Sequence, residues 1–269
     1  MKEINSESKT TDYRKIGFWQ LVILSLLLNF IVQTIHEAGH WAVCESLGRG
    51  PVWGFTQLLQ IWGDPPPIHP NEWISILSPD GEKGWLRLAS SLNKTELSIM
   101  LTAGPFASIV GVVLGLVLMR WNRIPSTKQI GLVMALIGSL LMSQYYLRGF
   151  SRMGGDEYFL AYNLGIPKYL IDIPFGLIFI IAFIFGVWVL DNWRTRIKWL
   201  GAIMLGSIPT GLFLIKANAL ILAQVNLENP LFRPLLGWSL PVIIVDVIIC
   251  MLLWMWWKRA NSTLPHRAQ

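Results

Sequence analysis

Long apolar stretches alternate with short polar connections along the 269 residues of the chain. A helix of about 20 apolar residues crosses the hydrocarbon core of a bilayer, which is about 30 Å thick. Six stretches reach that length, and they lie at residues 17–47, 98–119, 129–149, 170–190, 197–215 and 236–257. The pattern therefore predicts an all-α polytopic membrane protein with about six transmembrane helices.

The segment between the first two spans, residues 48–97, is the only sizeable one outside the predicted membrane helices. Residues 52–61 are strand-like, and two further strand-like runs at 73–77 and 85–88 flank a turn-rich sequence around Asp80. Such runs on either side of a turn are typical of a β-hairpin. We expect a small β-hairpin region between helices 1 and 2, in which Asp80 belongs to the turn rather than to a catalytic site.

The boundaries of the spans divide the chain into four parts. A polar tail comes first, followed by a core with helices 1 to 3, the hairpin loop and an Asp-bearing loop at 150–169. Three more helices and a second polar tail complete the chain. These parts cover residues 1–16, 17–169, 170–257 and 258–269. The first apolar stretch is too long for a signal-peptide core and no small-residue cleavage site follows it, so we expect it to remain as the first membrane helix.

Hydrophobic residues make up 53% of the chain and charged residues 14%, and the mean hydropathy is +0.49. These values exclude an ordinary soluble globular protein and indicate a multi-pass integral membrane protein, with the lipid bilayer as its first partner. The formal charge of +6 comes mostly from Lys and Arg at the ends of apolar segments, without a basic run that carries interleaved aromatic residues. Membrane flanks explain this charge, so we expect no nucleic-acid partner. The expected location is a prokaryotic cell membrane.

The sequence His36-Glu37-Ala38-Gly39-His40 lies near the end of the first span. On a helix, two histidines four residues apart share one face and can bind one Zn²⁺, with the intervening Glu beside the metal as a general base. Residues 16–35 contain no Asp, Glu, Lys, Arg or His, so a membrane helix carries the motif. Ionisable groups on such a helix indicate function. The alternative is that His36 and His40 cap the helix at the membrane surface, with Glu37 as their ion-pair partner.

A catalytic zinc site takes three protein ligands and keeps one position open. If six helices cross in turn, then the end of helix 1, the start of helix 2 at Gly104 and Pro105, and the loop 150–169 all lie on the same face of the membrane. Asp156 is our predicted third ligand, because two glycines precede it and let the backbone approach closely. It is also a candidate N-cap for a helix over 157–164. The other candidate ligands are Glu157, Glu45, His69, Asp246 and Cys44.

Together these motifs resemble the site-2 protease family of intramembrane metalloproteases. The resemblance rests on His36–His40 in the first span, on Ala103-Gly104-Pro105-Phe106-Ala107-Ser108 at the start of the second, and on the Asp-bearing segment after the third. The β-like region between spans 1 and 2 fits as well. Residues 30–160 carry the resemblance. This chain has Ser108 where the family usually has Asn.

The resemblance implies a site and a reaction. His36, His40 and Asp156 would hold Zn²⁺, and Glu37 would be the general base. The substrate would be a membrane protein or a signal-peptide-like segment, cleaved by metal-activated water. The strand-like segments would offer an edge that holds the substrate extended. Three further residues are expected near the site, in substrate binding or in structure: Gly104, Pro105 and Ser108.

Two alternative functions remain open from the sequence. The first is an HtpX-like membrane metalloprotease, in which Glu157 rather than Asp156 completes the zinc site. The second is a non-catalytic membrane protein for binding or transport that keeps a zinc site. Asp246 and Lys216, both within or near apolar spans, are polar groups that such a protein would use.

Overall fold

The computed structural model describes residues 13, 16–63, 66–121, 124–148 and 155–262. Within these ranges the chain forms seven α-helices: α1 (Phe18–Ser46), α2 (Lys94–Trp121), α3 (Pro125–Arg148), α4 (Asp156–Leu164), α5 (Tyr169–Trp188), α6 (Trp193–Asn226) and α7 (Leu240–Ser262). All of them except α4 contain a stretch that is long and apolar enough to cross a membrane. The predicted fold class is therefore confirmed, and the chain is a multi-pass integral membrane protein.

One predicted span is too short. The stretch predicted at 197–215 belongs to α6, which begins at Trp193 and continues to Asn226. Asn192 caps its start, since the Asn192 side chain accepts a hydrogen bond from the backbone N–H of Thr195. Lys216, which suggested the end of the span, is an exposed residue within the helix. The helix continues past it because most of the following residues are strong helix formers such as Ala and Leu.

The short helix α4 carries Asp156 as its first residue. Gly155 occupies the N-cap position with φ of 103°, a conformation that favours glycine. The prediction of Asp156 as the N-cap is therefore wrong by one position. Residues 150–154 of the predicted Asp-bearing loop and most of the predicted tails lie outside the described residues.

A three-stranded antiparallel sheet lies between α1 and α2. Its strands are β1 (Gln60–Trp62), β2 (Ile74–Leu77) and β3 (Lys83–Leu86), and β3 lies in the middle. Strands β2 and β3 form the predicted hairpin, in which Ile74 pairs with Leu86. The turn contains Asp80, as expected, and Gly81 follows it with φ of 89°.

The prediction of a strand over 52–61 is wrong for most of its length. Only residues 60 and 61 belong to β1, and residues 51–59, which we call the wall loop, form no regular strand. The wall loop packs against α6 and against a two-stranded hairpin between α6 and α7, formed by β4 (Pro234–Leu235) and β5 (Trp238–Ser239). Its backbone groups bond to these distant elements, which sequence periodicity does not reveal.

Helix α1 packs against α2, α3, α6 and α7 and so lies at the centre of the bundle. Helices α2 and α3 approach each other at two glycines, since a Cβ atom added to Gly115 would lie 2.7 Å from the carbonyl oxygen of Gly131. Small residues of this kind let transmembrane helices pack closely. The close packing of α1, α2 and α3 fixes the position of the histidines that α1 carries.

Candidate metal centre

The two motif histidines lie side by side on one face of α1. His36 and His40 are both buried, and their Nε2 atoms are 3.4 Å apart. This proximity follows from the helix, which places residues four apart one above the other on the same side. Because both imidazoles are buried within the bundle, the alternative that they cap the helix at the membrane surface does not describe their environment.

The side chain of Asp156 completes the group. Its Oδ2 atom lies 3.3 Å from Nε2 of His36 and 3.1 Å from Nε2 of His40. Residues 36 and 156 are far apart in sequence, and the return of the chain through α2 and α3 brings them together. Among the residues that the structure describes, this is the only group of three His, Cys, Asp or Glu side chains placed to hold one metal ion.

The distances among these three atoms match the requirements of a metal ion. In a tetrahedral zinc site with bonds of about 2.0–2.1 Å, neighbouring ligand atoms are about 3.3 Å apart. The three separations here are 3.1, 3.3 and 3.4 Å. The three ligand atoms therefore have the spacing of three corners of a tetrahedron, and no other described His, Cys, Asp or Glu side chain joins the group. The His36–His40–Asp156 group can hold a metal ion.

The second nitrogen of each imidazole is held by α2. Nδ1 of His40 lies 2.7 Å from the carbonyl oxygen of Met100, and Nδ1 of His36 lies 2.9 Å from Oγ of Ser108. Metal-binding histidines are usually oriented in this way, by a hydrogen bond from the nitrogen that does not face the metal. Helix α2 therefore directs both Nε2 atoms towards Asp156.

Glycine lets α2 approach the histidines so closely. A Cβ atom added to Gly104 would lie 2.6 Å from Cε1 of His40, and one added to Gly39 would lie 2.9 Å from Cβ of Ala107. Pro105 follows Gly104 inside the helix and has no N–H to donate to the carbonyl group of the preceding turn. Gly104 and Ser108 thus contact the two histidines, and Pro105 is the chain neighbour of Gly104. None of the three is among the residues that line the cavity in front of this group, which is described below.

The start of α4 is fixed from two sides. The backbone N–H of Asp156 donates to the hydroxyl oxygen of Tyr145 on α3 at 3.2 Å. Next to it, Oε1 of Glu157 lies 3.2 Å from Nζ of Lys168, and the same ammonium group lies 3.3 Å from Oδ2 of Asp172 on α5. These contacts aim the Asp156 carboxylate at the histidines.

The surroundings of Asp156 and Glu157 move their pKa values in opposite directions. Burial on its own would raise the pKa of Asp156, but the imidazoles of His40 and His36 hold it well below its usual range. Burial raises the pKa of Glu157, with Lys168 acting against it. The histidines thus favour the anionic form of Asp156, the form that binds a metal ion, while the side chain of Glu157 is directed to Lys168 instead.

The other candidate ligands lie elsewhere. His69 is half exposed and lies 3.6 Å from a carboxylate oxygen of Glu228. Asp246 on α7 accepts a hydrogen bond from Oγ1 of Thr34 at 3.2 Å. Glu45 is exposed at the end of α1, and Cys44 is buried in an apolar cluster. None of these side chains belongs to the group formed by His36, His40 and Asp156.

Glu37 lies between the two histidines and is also buried. Its Oε1 atom accepts a hydrogen bond from Nε2 of Gln33, one turn earlier in α1, at 2.9 Å. Glu37 is not one of the three candidate ligands, but it faces the same cavity as they do. A carboxylate in this position is available to exchange a proton with a molecule at the metal.

A cavity of about 570 Å³ opens in front of the metal group. Helices α1 to α4 supply one side of it, and the sheet and the wall loop supply the other. The second side is lined by Thr56, Gln57, Leu58, Gln60, Trp62, Ile76, Leu77, Ser78, Asp80, Glu82 and Leu86. Asp80, predicted as a turn residue, thus also lines the cavity. A cavity of this size holds a small ligand or a few residues of a peptide.

Sequence reasoning missed several residues of the site. Met100 and Tyr145, which orient His40 and Asp156, were not predicted, because a backbone carbonyl group and a tyrosine in an apolar span carry no pattern of their own. Thr56 and Gln57 were expected in a strand whose edge holds the substrate; they line the cavity, but from a loop without a regular strand.

Comparison of the chain with protein-family models, with curated protein sequences and with solved structures gave no match in any of the three.

Proposed function

We propose that this protein is an intramembrane zinc-dependent endopeptidase, which cleaves a peptide bond of a membrane-embedded substrate with metal-activated water. The observation that carries the proposal is the arrangement of His36, His40 and Asp156 at the spacing of zinc ligands, with Glu37 beside them at the wall of a peptide-sized cavity. The resemblance of the motifs to the site-2 protease family supports the same reaction.

The donor set favours zinc among the metals that two histidines and one carboxylate can bind. Two imidazoles, one carboxylate and one open tetrahedral position are typical of catalytic zinc sites. When bound there, the ion supplies a Lewis acid that lowers the pKa of a water molecule and polarises a carbonyl group.

Each residue of the site has a role in this reaction. Glu37 accepts the proton of the attacking water and then donates it to the nitrogen of the leaving amine. Peptide-bond hydrolysis requires both transfers. The burial of Glu37 keeps its carboxylate near the ligands, and Gln33 holds one of its oxygens. Ser108 and the carbonyl group of Met100 keep the two imidazoles in a fixed orientation.

The substrate would enter the cavity in an extended conformation, because the amide bonds of a helix are shielded by their own hydrogen bonds. Among the described residues no strand lies beside the outer edge of β2, which ends at Leu77 on the cavity wall. The backbone groups of such an edge can pair with an added strand. The expected substrates are membrane proteins or signal-peptide-like segments.

The two alternatives receive less support. An HtpX-like site would use Glu157, but this side chain pairs with Lys168. A protein that only binds or transports needs no general base. Glu37 is placed as one, because it lies beside the metal group without belonging to it. Asp246 and Lys216 are not among the residues that line the cavity, so they do not form one site with the metal group.

The decisive experiment compares wild-type protein with Glu37→Gln. Both are purified in detergent, their zinc content is measured, and they are incubated with a fluorescently labelled single-span peptide. We expect equal zinc content and a loss of cleavage of roughly 10²–10⁴-fold, the usual contribution of a general base. Glu45→Gln is the control, because Glu45 is exposed on the same helix. Equal cleavage by wild type and Glu37→Gln would refute the mechanism.

A further inference from the structure

The wall loop, residues 51–59, depends on the C-terminal helices for its shape. The backbone N–H of Trp53 donates to the carbonyl oxygen of Gly237 at 2.9 Å. In return, the backbone N–H of Ser239 and its hydroxyl group donate to the carbonyl oxygen of Trp53, at 3.1 and 2.8 Å. The ring centroids of Trp53 and Trp238 are 4.2 Å apart. The hairpin between α6 and α7 thus holds the first half of the wall loop.

Asn218 on α6 holds the turn of the wall loop. Its Oδ1 atom accepts hydrogen bonds from the backbone N–H groups of Phe55 at 2.9 Å and Thr56 at 3.4 Å. Asn218 is only 5% exposed. Gly54 permits this approach, since a Cβ atom at that position would overlap Oδ1 of Asn218. A single side-chain oxygen on α6 therefore satisfies two backbone donors of the loop.

The two faces of the wall loop have different surroundings. Phe55 and Leu59 are buried in an apolar cluster that also contains Leu214 and Ile221 of α6. The side chains between them face the cavity, namely Thr56, Gln57 and Leu58. Among the described residues, those that line the cavity all precede α5 in the chain. Helices α6 and α7 therefore supply no lining residue of their own, and the wall loop is the lining segment whose backbone α6 and the β4–β5 hairpin hold by hydrogen bonds.

We propose that α6 and the β4–β5 hairpin set the shape of the substrate cavity through the wall loop, with Asn218 as the positioning residue. This inference rests on the proposed function, since it assigns to the C-terminal helices the placement of the peptide opposite the metal group. Asn218 does not touch the substrate or the metal ligands. It holds the backbone from which Thr56, Gln57 and Leu58 face an extended peptide segment.

The chain offers a matched control on the same helix. Oδ1 of Asn226 accepts a hydrogen bond from the backbone N–H of Ile68 at 3.0 Å. Asn226 thus makes the same kind of contact as Asn218, to the same extramembrane region, but Ile68 stands outside the residues that line the cavity. Asn218→Asp is the conservative variant, because a carboxylate keeps Oδ1 as an acceptor for both N–H groups.

The experiment uses the full chain in detergent and compares wild type, Asn218→Ala, Asn218→Asp and Asn226→Ala. Zinc content, deuterium uptake of the wall loop, and kcat and KM for a fluorescently labelled single-span peptide are measured. For Asn218→Ala we expect unchanged zinc content, faster exchange at residues 55 and 56, and a KM raised about tenfold with kcat within about twofold, because two buried donors lose their acceptor. Asn218→Asp and Asn226→Ala should resemble wild type in both wall-loop exchange and KM.

The inference would be overturned if Asn218→Ala changed neither the deuterium uptake of the wall loop nor KM. It would also be overturned if KM rose equally in Asn226→Ala. If Asn218→Ala does not fold, Ser239→Ala removes one hydroxyl contact to the same loop and should raise KM in the same sense. Absence of cleavage by wild type would refute the proposed function instead. In that case the affinity of the zinc-loaded protein for a peptide hydroxamate is measured in place of KM. If Asn218→Ala bound the hydroxamate as tightly as wild type, the inference would be overturned separately.

Discussion

The two halves of the helix bundle use their polar residues in different ways. In the first half, residues 18–164, the buried His36 and His40 converge with Asp156, and the buried Glu37 faces the same cavity. In the second half, residues 169–262, polar side chains are spread along the helices. In the most apolar stretch of α3, 72% of the residues are buried. In that of α7 only 11% are buried, which leaves most of its surface for lipid.

This difference shows where close packing is needed. The metal group depends on α1, α2 and α3 lying within contact of one another, and glycines at the crossing points make that possible. The second half supports this arrangement from outside: Asp172 of α5 helps to fix the start of α4 through Lys168, and α6 approaches α1 closely at Gly206. Among the described residues, it supplies none that line the cavity. Three pairs of substitutions test this comparison, each with one member in either half, from the largest expected effect to the smallest.

The largest difference is expected between two aspartates. Asp156→Ala removes one of three ligands and should lower the affinity for zinc by more than about 100-fold, since even loss of an outer partner of a ligand costs roughly 10–100-fold. Asp246→Ala should leave the affinity unchanged, because Asp246 contacts Thr34 instead. The measurement is competition with a fluorescent zinc chelator. A similar loss in both variants would refute the assignment of the metal group to the first half.

Two glycines provide the second pair. Gly104→Ala places a methyl group against His40, and overpacking of this kind costs about 1–3 kcal/mol. We expect it to lower the midpoint of thermal unfolding in detergent and to weaken zinc binding. Gly211→Ala on α6 meets no atom within 4 Å, so it should be neutral or stabilise the helix by up to about 1 kcal/mol. Equal midpoints for the two variants would contradict the close approach of α2 to α1.

The smallest difference between two variants is expected for a pair of serines. Ser108→Ala removes the partner of His36 Nδ1, and we expect zinc affinity to fall by about tenfold, the lower end of the usual effect of such partners. Oγ of Ser207 on α6 has no hydrogen-bond partner among the described residues, so Ser207→Ala should change neither zinc affinity nor, by more than about 0.5 kcal/mol, stability. An unchanged zinc affinity in Ser108→Ala would show that Ser108 does not orient His36.

Much of the fold and the core of the candidate site could be predicted, because the signals are local or follow from topology. The spacing of His36 and His40 fixes their common helix face. The count of six spans placed Asp156 on the same side of the membrane as the histidines, and the structure brings the three together. The β2–β3 hairpin followed from strand-like residues on both sides of a turn.

The features that escaped prediction depend on contacts between distant parts of the chain. The wall loop is shaped by Asn218, which lies 163 residues after Phe55. No periodicity of residues 51–59 contains that information. The end of α6 was misplaced because a lysine in an apolar helix resembles a boundary, although its long side chain can reach a polar surface from within the helix.

The length of α6 has a consequence for how the protein responds to its lipid. At about 1.5 Å per residue, its 34 residues extend about 50 Å, some 20 Å more than the hydrocarbon core of a bilayer. The 20 residues of α5 match that core. Hydrophobic mismatch is relieved by tilt or by protrusion into the headgroups, and both move the end of α6 that carries Asn218. We therefore expect acyl-chain length to act on the wall loop, so that reconstitution in thin and thick bilayers would change the cavity without changing a residue.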